Sequence, residues 1–399
     1  MCRVCGKADM TLVLDLGVQP WGNNFLRPEQ VGHESKYPLR LVFCRNCHTA
    51  QLDYTVPKET MFLDHTYVSG TTSTLRKHFA DTAREVDSRF YAARCDKSVL
   101  DIGSNDGTQL LEYKKLGYDV MGVESCAWIA KQAVAAGVPT MSAFFNESTA
   151  RRLNRRFNVI NASGVFFHLE ELHSVTEGIN QSLADDGVFV VQFLYMKNIV
   201  DNNAFDQIYH EHLLYYNLAT IEVLLNRHGL AGMDAYWSTI HGGSIILLAT
   251  HTERARPTSH LIEMRAAEAA SGANELSYYE AFARRSATRR EIIRDYVRDA
   301  KQRGKTIFGM GAPVKGNTLL NYCQIGPELL DCLVERNPAR SNLFSPGMHI
   351  PIVLESDLKR QPDIYFVLAW NFRKEILVRY AALVKQGIEF YFPVLPKDD

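Results

Sequence analysis

The 399-residue sequence has no long hydrophobic run. Its longest apolar stretches, such as Val188–Val191 and Ile364–Trp370, have strand length and fall far short of the ~20 residues that span a bilayer, so no membrane partner is expected. It has no charge excess either. Lys and Arg number 44 against 45 Asp and Glu, a net charge of −1, and neither half is strongly basic, which argues against binding a phosphate backbone and hence against a nucleic-acid partner. The N-terminus shows neither a charged leader nor an apolar core, so a cytoplasmic location is expected. Internal repeats and low-complexity tracts are missing, which excludes solenoids and long disordered linkers. What remains is ordinary globular composition, 46% hydrophobic and 22% charged, on a chain too long for one comfortable core.

Three blocks follow one another. Residues 1–66 hold short β-like pieces with Gly and Pro turns. Residues 67–250 alternate strand and helix patterns, with strands expected at Ser98–Ile102, Asp119–Glu124, Val159–Ala162 and Val188–Phe193, and helices at Thr108–Leu116 and Ala127–Ala136. Alternation of this kind predicts a doubly wound α/β sheet. A pair of β-like runs around His241-Gly242-Gly243 reads as a hairpin closing that block. Residues 251–399 open with helical sequence from Leu261 to Arg303. Strands are expected thereafter at Thr306–Met310, Leu329–Val334, Ile364–Leu368 and Phe390–Pro393, a second and smaller α/β unit.

Four of the eight cysteines form two C-x-x-C pairs, Cys2 with Cys5 and Cys44 with Cys47. Each pair spans a turn that can aim two thiolates at one ion, and two such turns complete a tetrahedral site suited to Zn²⁺. Four cysteine ligands leave no open position, so the ion is expected to be structural. A β-rich block of this size has little core and needs such a staple. His48, beside the last cysteine, is not expected to be a ligand.

The passage Val99-Leu100-Asp101-Ile102-Gly103-Ser104-Asn105-Asp106-Gly107 is a strand, a glycine-bearing turn and a helix start. Gly103 and Gly107 allow close approach of a ligand. Asn105 stands where a dinucleotide fingerprint needs its second glycine, and the acidic residues favour a cationic cofactor over a pyrophosphate. Glu124 ends the next strand, where a carboxylate can accept from both ribose hydroxyls. Asp101, Gly103, Ser104, Asn105, Gly107 and Glu124 therefore read as a site for S-adenosylmethionine.

The densest polar cluster is Phe205-Asp206-Gln207-Ile208-Tyr209-His210-Glu211-His212-Leu213-Leu214-Tyr215-Tyr216. In an extended segment His210 and His212 share one face, and Tyr209 and Glu211 the other. Acid/base work is one reading, a core aromatic cluster with satisfied histidines the other.

Taken with further motifs, the whole chain resembles the sugar C-methyltransferases of deoxysugar biosynthesis. The motifs include Tyr67-Val68-Ser69 leading to His78, Val165-Phe166-Phe167-His168, His241-Gly242-Gly243-Ser244, Gly309-Met310-Gly311-Ala312 with Lys315-Gly316-Asn317, and Trp370-Asn371-Phe372. The resemblance implies a zinc-binding N-terminal domain (1–66), a Rossmann-like class I S-adenosylmethionine domain (67–250) and a C-terminal Rossmann-like domain binding a nucleotide sugar (251–399). It implies transfer of a methyl group to a ring carbon, most familiarly C3, of a TDP-linked 4-keto-6-deoxy sugar. It implies catalytic roles for His212 as base and for Tyr209, Glu211, Tyr67 and His168. Tyr67, His168, Tyr209, His241, Lys315 and Asn317 would contact the substrate. Gln192 departs from an expected glutamate, Ser163-Gly164 from more Asn-rich sequence, and Glu335 from a more usual aspartate.

The chemistry requires a base to take the proton beside the ketone, hydrogen-bond donors for the enolate oxygen, and a methyl sulfonium in line. Tyr209, Tyr67 or His168 would be donors, and Glu211 would orient His212. Methylation at C5, N or O of a nucleotide sugar, a zinc-containing methyltransferase acting on a macromolecule, and a non-catalytic zinc scaffold are the alternatives. A monomer is expected.

Overall fold

The computed structural model describes residues 1–65 and 67–395, so the domain boundary expected at residue 66 and the last four residues of the block ending at 399 lie outside it. The first block contributes β1 (Met10–Pro20), β2 (Lys36–Cys44) and β3 (Ala50–Leu52). The middle of the chain contributes β4 (Ser98–Ile102), β5 (Asp119–Glu124), β6 (Thr140–Ser142), β7 (Phe157–Ser163), β8 (Leu183–Leu194), β9 (Leu214–Tyr215), β10 (Leu230–Ser238) and β11 (Ser244–His251). The last third contributes β12 (Ile307–Met310), β13 (Cys332–Glu335), β14 (Ile352–Leu354), β15 (Ile364–Val367) and β16 (Glu389–Tyr391).

They form three sheets. The central one has the order β10-β11-β8-β7-β4-β5-β6. Its strands β4 to β8 run parallel, and β11 enters antiparallel between β8 and β10. This is the Rossmann-like fold of S-adenosylmethionine methyltransferases. The interior strands read as continuous apolar runs because helices cover both faces; Val159, Ile160, Val188–Val191 and Leu247–Ala249 are all buried. The C-terminal sheet is fully parallel in the order β14-β13-β12-β15-β16, a second doubly wound unit. In each unit the crevice lies where the strand order reverses, beyond the carboxyl ends of β4 and β7 and of β12 and β15.

The helical stretch expected from Leu261 to Arg303 is two helices, Ser259–Ala270 and Leu276–Gln302. Gly272, at φ +70°, makes the break. The short strands β6 and β14 went unpredicted, because three residues carry no readable alternation.

The smallest sheet has an order no local pattern announced, β1-β2-β3-β9. Its fourth strand comes from the middle of the chain, within the C-terminal end of the polar cluster. Ala50 pairs with Tyr215 and Gln51 with Leu214, and the Leu52 N–H donates to the Leu213 carbonyl. The N-terminal block is thus joined through its sheet to the segment expected to do the chemistry.

Candidate active site

The four cysteines come together at the top of this small sheet. Their sulfurs lie within 4.8 Å of one another, with Cys2 Sγ 3.4 Å from Cys47 Sγ and Cys5 Sγ 3.6 Å from Cys44 Sγ. A tetrahedron with Zn–S bonds of ~2.3 Å needs sulfurs ~3.8 Å apart, so the four thiolates fit one zinc ion. His48 lies outside the cluster; its Nδ1 donates to the Asn274 carbonyl.

In the central unit the turn after β4 shapes a cofactor crevice. Gly103, at φ +68°, is exposed, and a Cβ there would stand 2.6 Å from Val165 Cγ2, so only glycine keeps this wall in place. Glu124 is buried at the end of β5. One carboxylate oxygen accepts from the Asn105 N–H at 3.0 Å and the other from the Cys126 N–H at 2.8 Å. Asp101 is buried beside it, and burial together with Glu124 pushes its pKa well up. No lysine or arginine among the described residues pairs with either carboxylate. The nearest basic group to Glu124 is His65, at 3.9 Å, whose own pKa burial lowers and whose Nδ1 is buried without a hydrogen-bond partner among the described residues. Ser104 Oγ is likewise buried and unpartnered. The buried Glu124 carboxylate without a lysine or arginine among the described residues, a second carboxyl beside it, an open glycine turn and unsatisfied polar atoms fit a cationic ligand bearing a ribose.

The segment carrying Tyr67 is strapped to this turn. Asn105 Nδ2 donates to the Tyr67 carbonyl, the Ser69 N–H donates to Asn105 Oδ1, and the Gly70 N–H donates to Asp106 Oδ2. Tyr67 keeps about half its surface exposed although protein walls surround its hydroxyl and raise its pKa.

The polar cluster is not extended. A 3₁₀ turn at Phe205–Gln207 precedes a tight turn in which the His212 N–H donates to the Tyr209 carbonyl. This overturns the expected alternation of faces. His212 packs on Tyr209, with ring centroids 3.8 Å apart, and lies 4.5 Å from Phe167 and 5.1 Å from His168. His210 instead turns into the N-terminal block, its ring edge-on to Tyr37.

Two tautomers are settled by geometry. A carbonyl can only accept, so His212 Nδ1, 3.2 Å from the Gln207 carbonyl, and His168 Nδ1, 2.6 Å from the Glu211 carbonyl, both carry hydrogen. Burial lowers the pKa of His212 well below the ordinary value and that of His168 to about 4, so both rings are neutral near pH 7 with Nε2 unprotonated. His168 Nε2 is therefore an acceptor, and the expectation that it donates to an oxyanion is corrected. Burial pushes the Tyr209 phenol well up, so it stays a donor.

Glu211 is also placed differently from expectation. Its carboxylate does not orient His212; Oε1 accepts from the Trp21 indole N–H at 2.6 Å, across 190 residues of sequence. Burial raises its pKa to about 7 despite that hydrogen bond and the nearby Arg340 guanidinium.

The C-terminal crevice meets this cluster. Lys315, in the first turn of the helix Val314–Cys323, sits 3.6 Å above the Trp370 ring and donates to Asn371 Oδ1 at 2.7 Å. Trp370 Nε1 donates to the buried Asp206 Oδ2 at 2.6 Å, while Asp206 Oδ1 has no partner among the described residues. Burial lowers Lys315 to about 8 and raises Asp206. His241, at φ +58° in the β10–β11 turn, feels Lys315 and His78 electrostatically, and burial brings it to about 4 although its surface is accessible, as on the wall of a deep cleft. Asn317 is not on that wall. It is buried, and its Nδ2 donates to the Gly22 carbonyl at 2.6 Å, tying the N-terminal block to the C-terminal unit. Gln192 accepts from His78 Nε2 at 2.7 Å.

Three family models match in order. A zinc binding domain covers residues 2–62, a methyltransferase domain 75–234, and a C-methyltransferase C-terminal domain 239–396. C-methyltransferase NovU of Streptomyces niveus is 31% identical over 401 residues, covering 98% of this chain and 95% of that protein. The chain belongs to the C-methyltransferase family. It is an enzyme that uses S-adenosylmethionine, and its four clustered N-terminal cysteines lie within the part of the chain that the zinc binding domain model matches. Among solved structures, the magnesium protoporphyrin IX methyltransferase of Synechocystis aligns at TM-score 0.35 and 15% identity, covering 47% of this chain and 86% of that one. A methyltransferase from Clostridium acetobutylicum aligns at TM-score 0.37 and 16% identity, covering 44% and 92%. Both likenesses are loose. No described helix is long and apolar enough to cross a membrane.

Sequence reasoning missed Trp21, Asp206 and Arg340 as members of the site. Asp206 lay inside the polar cluster and carried a signal. Trp21 and Arg340 lie far from any motif, and only the folded chain brings them to Glu211.

Proposed function

We propose that this C-methyltransferase acts on a nucleotide-linked 4-keto-6-deoxy sugar, most simply a TDP sugar, and methylates the carbon beside the ketone, C3, through an enolate. The observation that carries the reading is His212. Its Nδ1–H is anchored on the Gln207 carbonyl and its ring is held neutral by burial, which leaves Nε2 ready to take a proton without first losing one. An imidazole of low basicity needs an acidic C–H and a stabilised anion, conditions that a carbon next to a carbonyl meets. Tyr209 packs tilted against His212 and keeps its proton, so it suits donation to the enolate oxygen, with Tyr67 as a second donor from the strap. His168 and His241 would accept from sugar hydroxyls. Lys315, at a helix N-terminus, suits the nucleotide's phosphates.

Asp101, Gly103, Ser104, Asn105, Gly107 and Glu124 would hold the cofactor, with Glu124 toward its ribose. Bound there, S-adenosylmethionine supplies an electrophilic methyl group. Cys2, Cys5, Cys44 and Cys47 would hold zinc in a purely structural role.

The test is hydrogen exchange. With a non-reactive cofactor analogue in D₂O, the wild-type enzyme should place deuterium at C3 of a recovered TDP-4-keto-6-deoxy sugar, and His212→Asn should not. Exchange no faster than in the enzyme-free control rules out the enolate route.

A further inference from the structure

Trp21 lies on a strap, residues 20–26, that leaves the end of β1 and crosses to the C-terminal unit. The strap is fastened at several points. Asn317 Nδ2 donates to the Gly22 carbonyl, and Leu26 and Phe344 exchange backbone hydrogen bonds at 2.9 and 2.8 Å. The Phe25 ring lies under the Arg340 guanidinium at 4.4 Å. Gly22 is pressed against Val314, with 3.1 Å from a notional Cβ to both the Val314 carbonyl oxygen and Cγ1. A strap tied at this many points cannot carry its indole freely, and that indole donates its single N–H to Glu211 Oε1 at 2.6 Å.

We propose that Trp21 is a positioning residue for methyl transfer, holding the Glu211 carboxylate in one orientation and favouring its ionised form at the edge of the cleft. The inference rests on the proposed function in placing Glu211 within the active cluster. An N–H donated to a carboxylate stabilises the charged form, and the fixed Oε1 leaves the second oxygen as the one turned to an acceptor hydroxyl or amine. The other groups that face Glu211 are few. Arg340 approaches from the C-terminal unit, where its guanidinium also reaches the Ala312 carbonyl and Glu335 at 3.3 Å. Tyr209 lies two residues earlier on the same turn. His168 touches only the Glu211 backbone carbonyl. Arg340 is already engaged by Glu335, so the indole is the group that addresses the Glu211 carboxylate directly. A block whose metal is structural would in this way act on the chemistry at a distance.

The experiment follows the Glu211 carboxylate by infrared difference titration of the full-length zinc-loaded protein without substrate, with Glu211→Gln identifying its band. In Trp21→Phe the titration midpoint should rise by about one pH unit, because the ionised form loses a charge-assisted hydrogen bond. The acid limb of kcat/KM should move up by the same amount, with S-adenosylmethionine affinity unchanged. If Trp21→Phe does not fold, Phe25→Leu loosens the same strap and should move the midpoint in the same direction by a smaller amount. An unmoved midpoint in the folded variant overturns the proposal. Because the infrared reading needs no turnover, a failure to methylate keto sugars would sink the substrate assignment and leave this test standing.

Discussion

The two doubly wound units place a glutamate at the same point and treat it in opposite ways. Glu124 ends the second strand of the central unit and Glu335 the second strand of the C-terminal unit. Each accepts a hydrogen bond from the turn after its unit's first strand, Asn105 N–H at 3.0 Å in one and Ala312 N–H at 3.1 Å in the other. Each also accepts from the amide two residues further on, Cys126 and Asn337. The difference is in compensation. Glu335 has Arg340 at 3.3 Å, while Glu124 has a second buried carboxyl, Asp101, and a histidine kept neutral by burial. The fold decides where the carboxylate stands; the neighbours decide what it can bind. One crevice is left anionic and suits a sulfonium and ribose. The other is neutralised and presents Lys315, which suits phosphates.

The largest effect expected concerns the ground between the two crevices. His212→Asn should lower kcat on the order of 10³-fold with little change in S-adenosylmethionine affinity by calorimetry. An unaltered kcat would remove His212 and place the chemistry on another group of the cleft. Next is the zinc-binding block that serves both units. Cys44→Ser, or chelation of the metal, should cost on the order of 5 kcal/mol and lower Tm by roughly 10 °C. Activity should fall before bulk unfolding, since β9 loses its partner strand; calorimetry alongside activity separates the two. The comparison itself is sharpened by paired changes. Glu124→Gln should weaken S-adenosylmethionine binding about 10- to 100-fold, while Glu335→Gln should leave it unchanged. Equal losses would break the contrast. The smallest effect is Lys315→Met, expected to raise KM for the nucleotide sugar about tenfold without affecting cofactor binding.

Much of this was legible in sequence. The C-x-x-C pairs, the Asp101–Gly107 turn and Glu124 are local patterns in which a few adjacent residues set both geometry and chemistry, and each lies where its pattern indicated. The Glu211 pairing was not legible. The local partner for a carboxylate beside a histidine is that histidine, yet the turn at 209–212 folds His212 onto Tyr209 and sends Glu211 to Trp21. The expected donor role of His168 failed for a similar reason, because its proton is committed to a backbone carbonyl that only the fold brings near. Asn317 carried a family motif and still proved to be a tie between blocks, its amide held by Gly22.

By itself the sequence determined the two C-x-x-C pairs, the two α/β units and the glycine-bearing turn after β4, because all of these depend on spacing within a few residues or on the alternation of strand and helix. The tertiary structure alone decided which groups face each other across the cleft. It joined β9 to the N-terminal sheet, set Trp21 on Glu211 and Trp370 on Asp206, and left Asp101 and Glu124 without a lysine or arginine partner among the described residues. Those are contacts between residues tens to hundreds of positions apart, and they follow from the packing of three sheets against one another, which no local pattern of residues encodes.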